Sequence, residues 1–192
     1  MHTAISDPVR DLRRIGAETA QALEAIAATQ NDALAATIEA IGAARRVFVL
    51  GAGRSGLALR MTAMRLMHLG LHVHVVGDTT TPAIEAGDLL LTASGSGTTG
   101  AVVRAATTAR SVGARIATLT TATSSPLAEL SDTVIVVPAA DKLDRSGAAS
   151  VQYAGSLFEQ AVALIGDALF HTLWQRSGQS ADDLWPRHAN LE

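Results

Sequence analysis

The sequence predicts an α/β fold, with five short parallel strands in one sheet and helices on both of its faces. Three observations predict it. Apolar runs of strand length at residues 46–50, 72–76, 89–93, 115–120 and 133–137 alternate with segments of helical periodicity. The first and third runs are nearly unbroken apolar stretches, as in strands buried on both faces. Both of those runs end in glycine-rich loops that lead into helices, at the edge where such sheets bind ligands. Right-handed crossovers then distribute the helices over the two faces.

Residues 7–28 place Val9, Leu12, Ile15, Leu23 and Ile26 on one stripe, interrupted at Thr19, and so form an amphipathic helix. Asp7 and Pro8 suit its cap and first turn. Asn31 opens a second helix, with Leu34, Ile38 and Ile41 on one face and Gly42 at its end. Residues 1–44 are therefore a helical arm ahead of the sheet core, residues 45–138. Two helices exceed what one sheet face requires, so the arm packs across the sheet or contacts another subunit. After the first strand a helix runs from about Ser55 to Leu69 and stops at Gly70. The connection 77–87 has little periodicity, with one turn of helix expected at 82–86. The helix after the third strand, which Thr98 or Thr99 would cap if the loop were an ordinary βα turn, ends at Gly113. A short helix occupies 126–130, and Pro138 ends the fifth strand. Residues 139–152 are the longest irregular segment, at the ligand edge. The helix that follows carries Leu157, Ala161, Leu164, Ile165, Ala168 and Thr172 on one stripe and closes near Gly178. The tail 182–192 holds Trp185 and two leucines, which predict docking. Residues 1–192 read as a single domain, its last part, 139–192, comprising loop, helix and tail.

Composition excludes several chemistries. There is no cysteine, hence no disulfide, thiolate nucleophile or Cys-based zinc site. A net charge of −3 provides no general attraction to nucleic acid or anionic membrane, so an anionic ligand must be held by local groups. No apolar stretch approaches the ~20 residues that span a bilayer, and the first residues lack a signal-type apolar core. The expectation is a soluble cytoplasmic chain with no membrane or nucleic-acid partner.

The loop after the third strand is the most informative. Ser94, Ser96, Thr98 and Thr99, with Gly95 and Gly97 between them, supply four hydroxyls in six residues. An ordinary βα turn needs one, for the cap. With the free N–H groups of the next helix, such a loop suits an oxyanion, most obviously phosphate. The loop after the first strand, Gly51-Ala52-Gly53-Arg54-Ser55-Gly56, matches the dinucleotide fingerprint, and Asp78 stands where a ribose-binding acid belongs. A nucleotide leaves the second loop unexplained, whereas Arg54 and Ser55 facing four hydroxyls suit a phosphosugar. No Gly-Lys-Ser/Thr pattern occurs.

Glu159, flanked by Leu157, Phe158 and Ala161, is either a surface glutamate favourable near its helix N-terminus or, if half-buried, a usable base. His72 and His74 share a strand face near His68. No carboxylate accompanies them, so structural histidines are expected and no metal is assigned. His188 in the tail is a further acid/base or hydroxyl-contact candidate. No Gly-x-Ser-x-Gly elbow occurs, and the loop serines are read as binding groups.

Four stretches together carry a family resemblance: the Gly51–Gly56 loop, Ala63-Met64-Arg65-Leu66-Met67-His68-Leu69-Gly70, Ser94-Gly95-Ser96-Gly97-Thr98-Thr99, and Arg187-His188-Ala189-Asn190-Leu191. The chain resembles, over nearly its whole length, the 6-phospho-3-hexuloisomerases of the sugar-isomerase (SIS) domain family. It differs in having Tyr153-Ala154 where those relatives often have Pro-Met. The resemblance implies a flavodoxin-like three-layer sandwich. It also implies interconversion of D-arabino-3-hexulose 6-phosphate and fructose 6-phosphate through a cis-enediol, in the ribulose monophosphate pathway of formaldehyde fixation, with no redox cofactor or metal. Under it Glu159 is the proton acceptor. Ser94, Gly95, Ser96, Gly97, Thr98 and Thr99 hold the phosphate, and Arg54 and Ser55 line the opposite wall. His188 contacts sugar hydroxyls or moves a proton between oxygens, in its own or a neighbouring subunit, and the assembly is a homotetramer. Another phosphosugar isomerase and a non-catalytic phosphosugar-binding module are the alternatives.

Overall fold

A computed structural model describes residues 7–140 and 150–191. Expectations that fall on residues 1–6 and 141–149, within the arm and the 139–152 segment, lie outside the described residues. The chain runs α1 (Pro8–Thr29), α2 (Asn31–Ala43), β1 (Val47–Gly51), α3 (Gly53–His68), β2 (Val73–Val75), β3 (Leu89–Ala93), α4 (Gly100–Ser111), β4 (Arg115–Thr120), α5 (Pro126–Leu130), β5 (Thr133–Val136), α6 (Ser156–Ser177) and α7 (Ala181–Leu184). A 3₁₀ turn, Trp185–Arg187, follows.

The five strands form one parallel sheet in the order β2-β1-β3-β4-β5. Leu89, Leu90 and Leu91 are all inaccessible to solvent, which requires cover on both faces. Alternation sorts them into two cores. Val47, Val49, Leu89, Leu91, Leu119 and Ile135 pack with residues of α1, α2, α3 and α6. Phe48, Leu90 and Ile116 pack with Val102, Ala106 and Ala109 of α4 and Leu127 of α5. Strand order reverses between β1 and β3, and the register sets Gly51 opposite Ala93. The two glycine loops therefore leave neighbouring strands at one level, at the switch point. The outer edge of β5 is closed by a side chain. The Gln30 amide donates to Val136 O (2.5 Å) and accepts from Val136 N–H (2.7 Å), occupying the place of a further strand at that residue.

Three expectations differ from the structure. Residues 82–86 form no helical turn. This segment is pinned instead by Arg46, which donates to Ala83 O (3.1 Å), and by Glu85 N–H, which donates to the buried Asp88 carboxylate (2.8 Å). Val9 and Leu12 are exposed, and α1 reaches the core through Ala22 and Ile26 nearer its end. On α6 the buried face is Leu157, Phe158, Ala161, Val162, Ile165, Gly166 and Leu169, while Leu164 and Ala168 face outward. This helix is apolar on most sides, so periodicity does not select its inner face. The crossing with α3 selects it, because a Cβ at Gly166 would stand 2.0 Å from Thr62 Oγ1. Close helix crossing requires glycine there.

In the tail, Leu184 is buried while Trp185 and Leu191 remain exposed. Arg187 does the docking. Its guanidinium donates to His68 O (3.1 Å), Asp183 O (3.0 Å) and Gln179 Oε1 (3.3 Å), closing the C-terminal end of α3. Among the described residues no helix is long and apolar enough to cross a membrane.

Candidate active site

A solvent-open cleft of ≈ 560 Å³ lies where β1 and β3 diverge. Arg54 and Ser55 of α3 form one wall. Ser94, Gly95, Ser96 and Thr99 form the second, and Gly155, Phe158 and Glu159 at the start of α6 form the third. Ala52, Ala93 and Ala140 complete the lining.

Three helices begin at this cleft, α3, α4 and α6, and among the described residues none has a side-chain cap. Three helices that start elsewhere are capped, by Asp7, Ser125 and Ser180. At α2 the cap residue is Gln30, which is engaged with β5. Thr99 is the N-cap residue of α4, but its hydroxyl meets Ser94 Oγ (3.0 Å) rather than the helix N–H groups. The ordinary βα turn, with a threonine side chain capping the helix, is therefore not what forms. Val103 is the first α4 residue whose N–H bonds back, to Thr99 O (3.0 Å), which leaves the preceding N–H groups for a ligand. Each helix start carries roughly half a positive charge, so three of them around one cleft suit a phosphate.

The hydroxyl loop is rigid for identifiable reasons. Gly95 O accepts from Thr121 N–H, Thr120 Oγ1 and Thr121 Oγ1, each at 2.9 Å. Gly97 has φ +62°, and a Cβ there would lie 2.0 Å from Ser125 Oγ. Gly97 thus shapes the loop from behind and does not line the cleft. Thr98 is exposed and outside the lining, with its Oγ1 on Ser96 Oγ (2.9 Å). The glycine fingerprint serves strand-to-helix packing, since a Cβ on Gly56 would stand 2.4 Å from Gly51 O. The groove between β1 and β2, where a nucleotide would extend, holds only ≈ 230 Å³. Arg60, which lines that groove, is paired with Asp78 (2.9 Å).

Glu159 sits in the first turn of α6 with its side chain 15% exposed. Its Oε2 accepts from Arg54 Nε at 2.5 Å. Arg54 is itself largely exposed, so it neutralises and orients the carboxylate from the solvent side. Oε1 lies beside Gly155, where a Cβ would come within 3.7 Å. The sheet therefore brings an oriented, half-buried carboxylate face to face with an anion cradle. Such a pair can anchor a substrate by its phosphate and move a proton at a carbon some atoms away. Phe158 and Gly155 were not among the sequence candidates; the glycine at the expected helix start was their one signal.

His188 does not join this group within one chain. Its ring stacks on His68 (centroids 4.0 Å apart) and on Trp185 (4.7 Å). His68 ends α3 while Arg54 begins it, a separation of about 20 Å by helical rise. His68 is buried, and burial, with His188 and Arg65 adding to it, pushes its pKa below the ordinary imidazole value. His74 packs against Phe48 (5.1 Å) and His72 is exposed. Among the described residues no three His, Asp or Glu side chains are grouped to hold a metal ion.

Comparison with known proteins agrees with this architecture. Residues 40–164 match the SIS domain family model. A 3-hexulose-6-phosphate isomerase of Mycobacterium gastri is 63% identical over 147 residues, 77% of this chain and 74% of that protein. One from Bacillus subtilis (strain 168) is 38% identical over 148 residues, 77% of this chain and 80% of that protein. Among solved structures, a hypothetical protein of Methanococcus jannaschii, whose structure was taken to infer a 3-hexulose-6-phosphate isomerase function, superposes with a TM-score of 0.81 at 29% identity. That alignment covers 95% of this chain and 99% of the other. With a matching model across most of the sheet core and a parallel sheet whose switch-point cleft carries the hydroxyl loop, the chain belongs to the SIS domain family.

Proposed function

We propose that this chain is an isomerase that interconverts D-arabino-3-hexulose 6-phosphate and fructose 6-phosphate. The observation that carries the reading is the placement of Glu159 across one cleft from the Ser94, Ser96 and Thr99 hydroxyls and the uncapped start of α4. The choice of sugar follows the names of the relatives. In this reading the loop, with Gly95, Gly97 and Thr98 shaping it, holds the phosphate. Ser55 and Arg54 line the opposite wall. Glu159 takes the proton from the carbinol carbon beside the carbonyl, C2 of the 3-hexulose. The electron pair forms the C2–C3 double bond of a cis-enediol, and the proton returns at C3 as the carbonyl forms at C2. The reaction is redox-balanced within the sugar, so proton transfer suffices and no cofactor is called for. Exchange of the hydroxyl proton between O2 and O3 falls to His188 of a neighbouring subunit, in a homotetramer whose residues 1–192 act as one domain. The pathway we assign is ribulose monophosphate formaldehyde fixation in the cytoplasm, with a phosphosugar as the small-molecule partner.

The test is a coupled assay on hexulose phosphate formed from formaldehyde and ribulose 5-phosphate. Wild type is expected to yield fructose 6-phosphate. Glu159→Gln is expected to lose about 10²–10⁴-fold in kcat, the range for general-base removal, while still binding fructose 6-phosphate. Full turnover in that variant removes Glu159 as the base, and no product from wild type removes the substrate assignment.

A further inference from the structure

Helix α1 lies outside the cleft lining, yet its middle is tied to the helix that carries Glu159. Glu18 is only 19% exposed in its side chain. Its Oε2 accepts from Ser150 Oγ (2.8 Å) and Gln152 Nε2 (3.1 Å), and its Oε1 accepts from Val151 N–H (3.2 Å). Gln152 Oε1 accepts in turn from Gln160 Nε2 (2.8 Å). The other end of the Gln160 amide, Oε1, accepts from Thr19 Oγ1 (3.0 Å), whose one proton is shared with Ile15 O (2.8 Å). Two consecutive residues of α1 therefore close a ring of hydrogen bonds through 150–152 to Gln160, the neighbour of Glu159. Only an ionised carboxylate presents acceptors alone to three converging donors.

What this ring restrains is the lead-in to α6. Ala154 has φ +44°, a left-handed conformation uncommon for a residue with a Cβ. Ser156 N–H bonds to Ala154 O (2.7 Å) and Ser156 Oγ to Tyr153 O (2.7 Å), so the strained turn is coupled to the first turn of the helix. Such conformations persist where surrounding contacts hold them.

We propose that Glu18 is a positioning residue: through residues 150–152 and Gln160 it holds the first turn of α6 and so aims the Glu159 carboxylate at the cleft. This rests on the reading of Glu159 as the base. It also gives the first helix of the arm a task that sheet packing alone does not require.

The experiment compares Glu18→Ala, Glu18→Gln and Gln30→Ala in the full chain. Gln30→Ala removes a two-bond clamp between the α1–α2 junction and β5, outside the cleft lining, and controls for lost stability. Glu18→Ala is expected to lower kcat per folded enzyme about 10- to 100-fold, the scale of a misplaced catalytic group. KM should stay within about threefold, because the phosphate loop is untouched. Glu18→Gln, which retains part of the acceptor set, is expected to recover at least half of that loss on a logarithmic scale. Gln30→Ala is expected to leave kcat unchanged. Amide exchange in residues 157–161 should quicken about tenfold in Glu18→Ala with β3 unaffected. Unchanged kcat per folded Glu18→Ala enzyme, or a fall matched by Gln30→Ala, overturns the proposal. Should Glu18→Ala not fold, Glu18→Gln and Gln152→Ala carry the same comparison. Should wild type not turn over the hexulose phosphate, the functional reading fails on its own. The exchange data then decide: unchanged protection in residues 157–161 overturns the positioning role, and quickened exchange there upholds it.

Discussion

Replacing Gly166 by alanine tests how the two functional helices are held together. The added Cβ would lie 2.0 Å from Thr62 Oγ1, 3.1 Å from Thr62 Cβ and 3.3 Å from Thr62 Cγ2. Ordinary carbon contacts sit at about 3.5–4 Å. All three Thr62 atoms are too near, so turning its side chain does not clear the clash, and α3 and α6 must move apart locally. Overpacking of this kind destabilises by about 1–3 kcal/mol. Alanine recovers about 1 kcal/mol of helix propensity over glycine. The expected net loss is then about 0–2 kcal/mol. Thr62→Ala supplies the complement. It removes a buried hydroxyl that has no hydrogen-bond partner among the described residues, a relief of about 1–3 kcal/mol, and it sacrifices about 1 kcal/mol of methyl burial. The double variant should be more stable than the sum of the singles by at least about 1 kcal/mol. Urea titrations of the four proteins read this directly, with equal m-values confirming a common denatured state. Gly166→Ala as stable as wild type, with the pair additive to within about 0.5 kcal/mol, would refute the close-crossing account. Gly166 stands about 10 Å along α6 from Glu159, so kcat should fall in the single variant and recover in the double.

Gly97→Ala forces a Cβ to 2.0 Å from Ser125 Oγ at φ +62°. It should weaken fructose 6-phosphate binding about tenfold by calorimetry and reduce stability by about 1–2 kcal/mol; unchanged affinity would separate the loop from phosphate recognition. On the acid side, Asp88 is held below the ordinary carboxylate range: burial pushes its pKa up, but hydrogen bonds from Arg46, Glu85 N–H and Arg45 outweigh it. Glu18 is likewise depressed, its burial outweighed by bonds from Ser150, Gln152 and Val151 N–H and by the charge of Arg14. A depressed carboxylate contributes stability that is present above its unfolded value, 3.8 for Asp and 4.5 for Glu, and lost as pH falls through the folded value. Unfolding free energy should therefore decline on acidification below about pH 4.5. Asp88→Asn should flatten that decline while removing about 2–3 kcal/mol at pH 7, as denaturation across a pH series will read.

The legible parts of this protein are those written in local pattern. Nearly unbroken apolar runs of strand length such as 89–93 fit strands covered on both faces, and their alternation with helices implies a parallel sheet. Four hydroxyls between glycines, at the end of such a run, mark an anion loop at the ligand edge. Family resemblance added Glu159, which spacing alone left between base and surface residue. Other features depend on which surfaces meet. On α6 the predicted stripe places Leu157, Ala161 and Ile165 on the inner face correctly but Leu164 and Ala168 wrongly, because a helix apolar on most sides carries little periodic signal, and the Gly166 crossing with Thr62 chooses the face. In an ordinary βα turn Thr98 or Thr99 would cap α4, but the Thr99 hydroxyl turns to Ser94, a partner set by the loop's folded path. His188, next to Arg187 in sequence, was drawn to the far end of α3 because Arg187 closes that helix there. The pairing of Arg54 with Glu159 across 105 residues, and the reach of Glu18 to Ser150 across 132, have no sequence signature. Hydrogen bonds between distant side chains exist only once the sheet and its two covering layers have fixed where each helix begins.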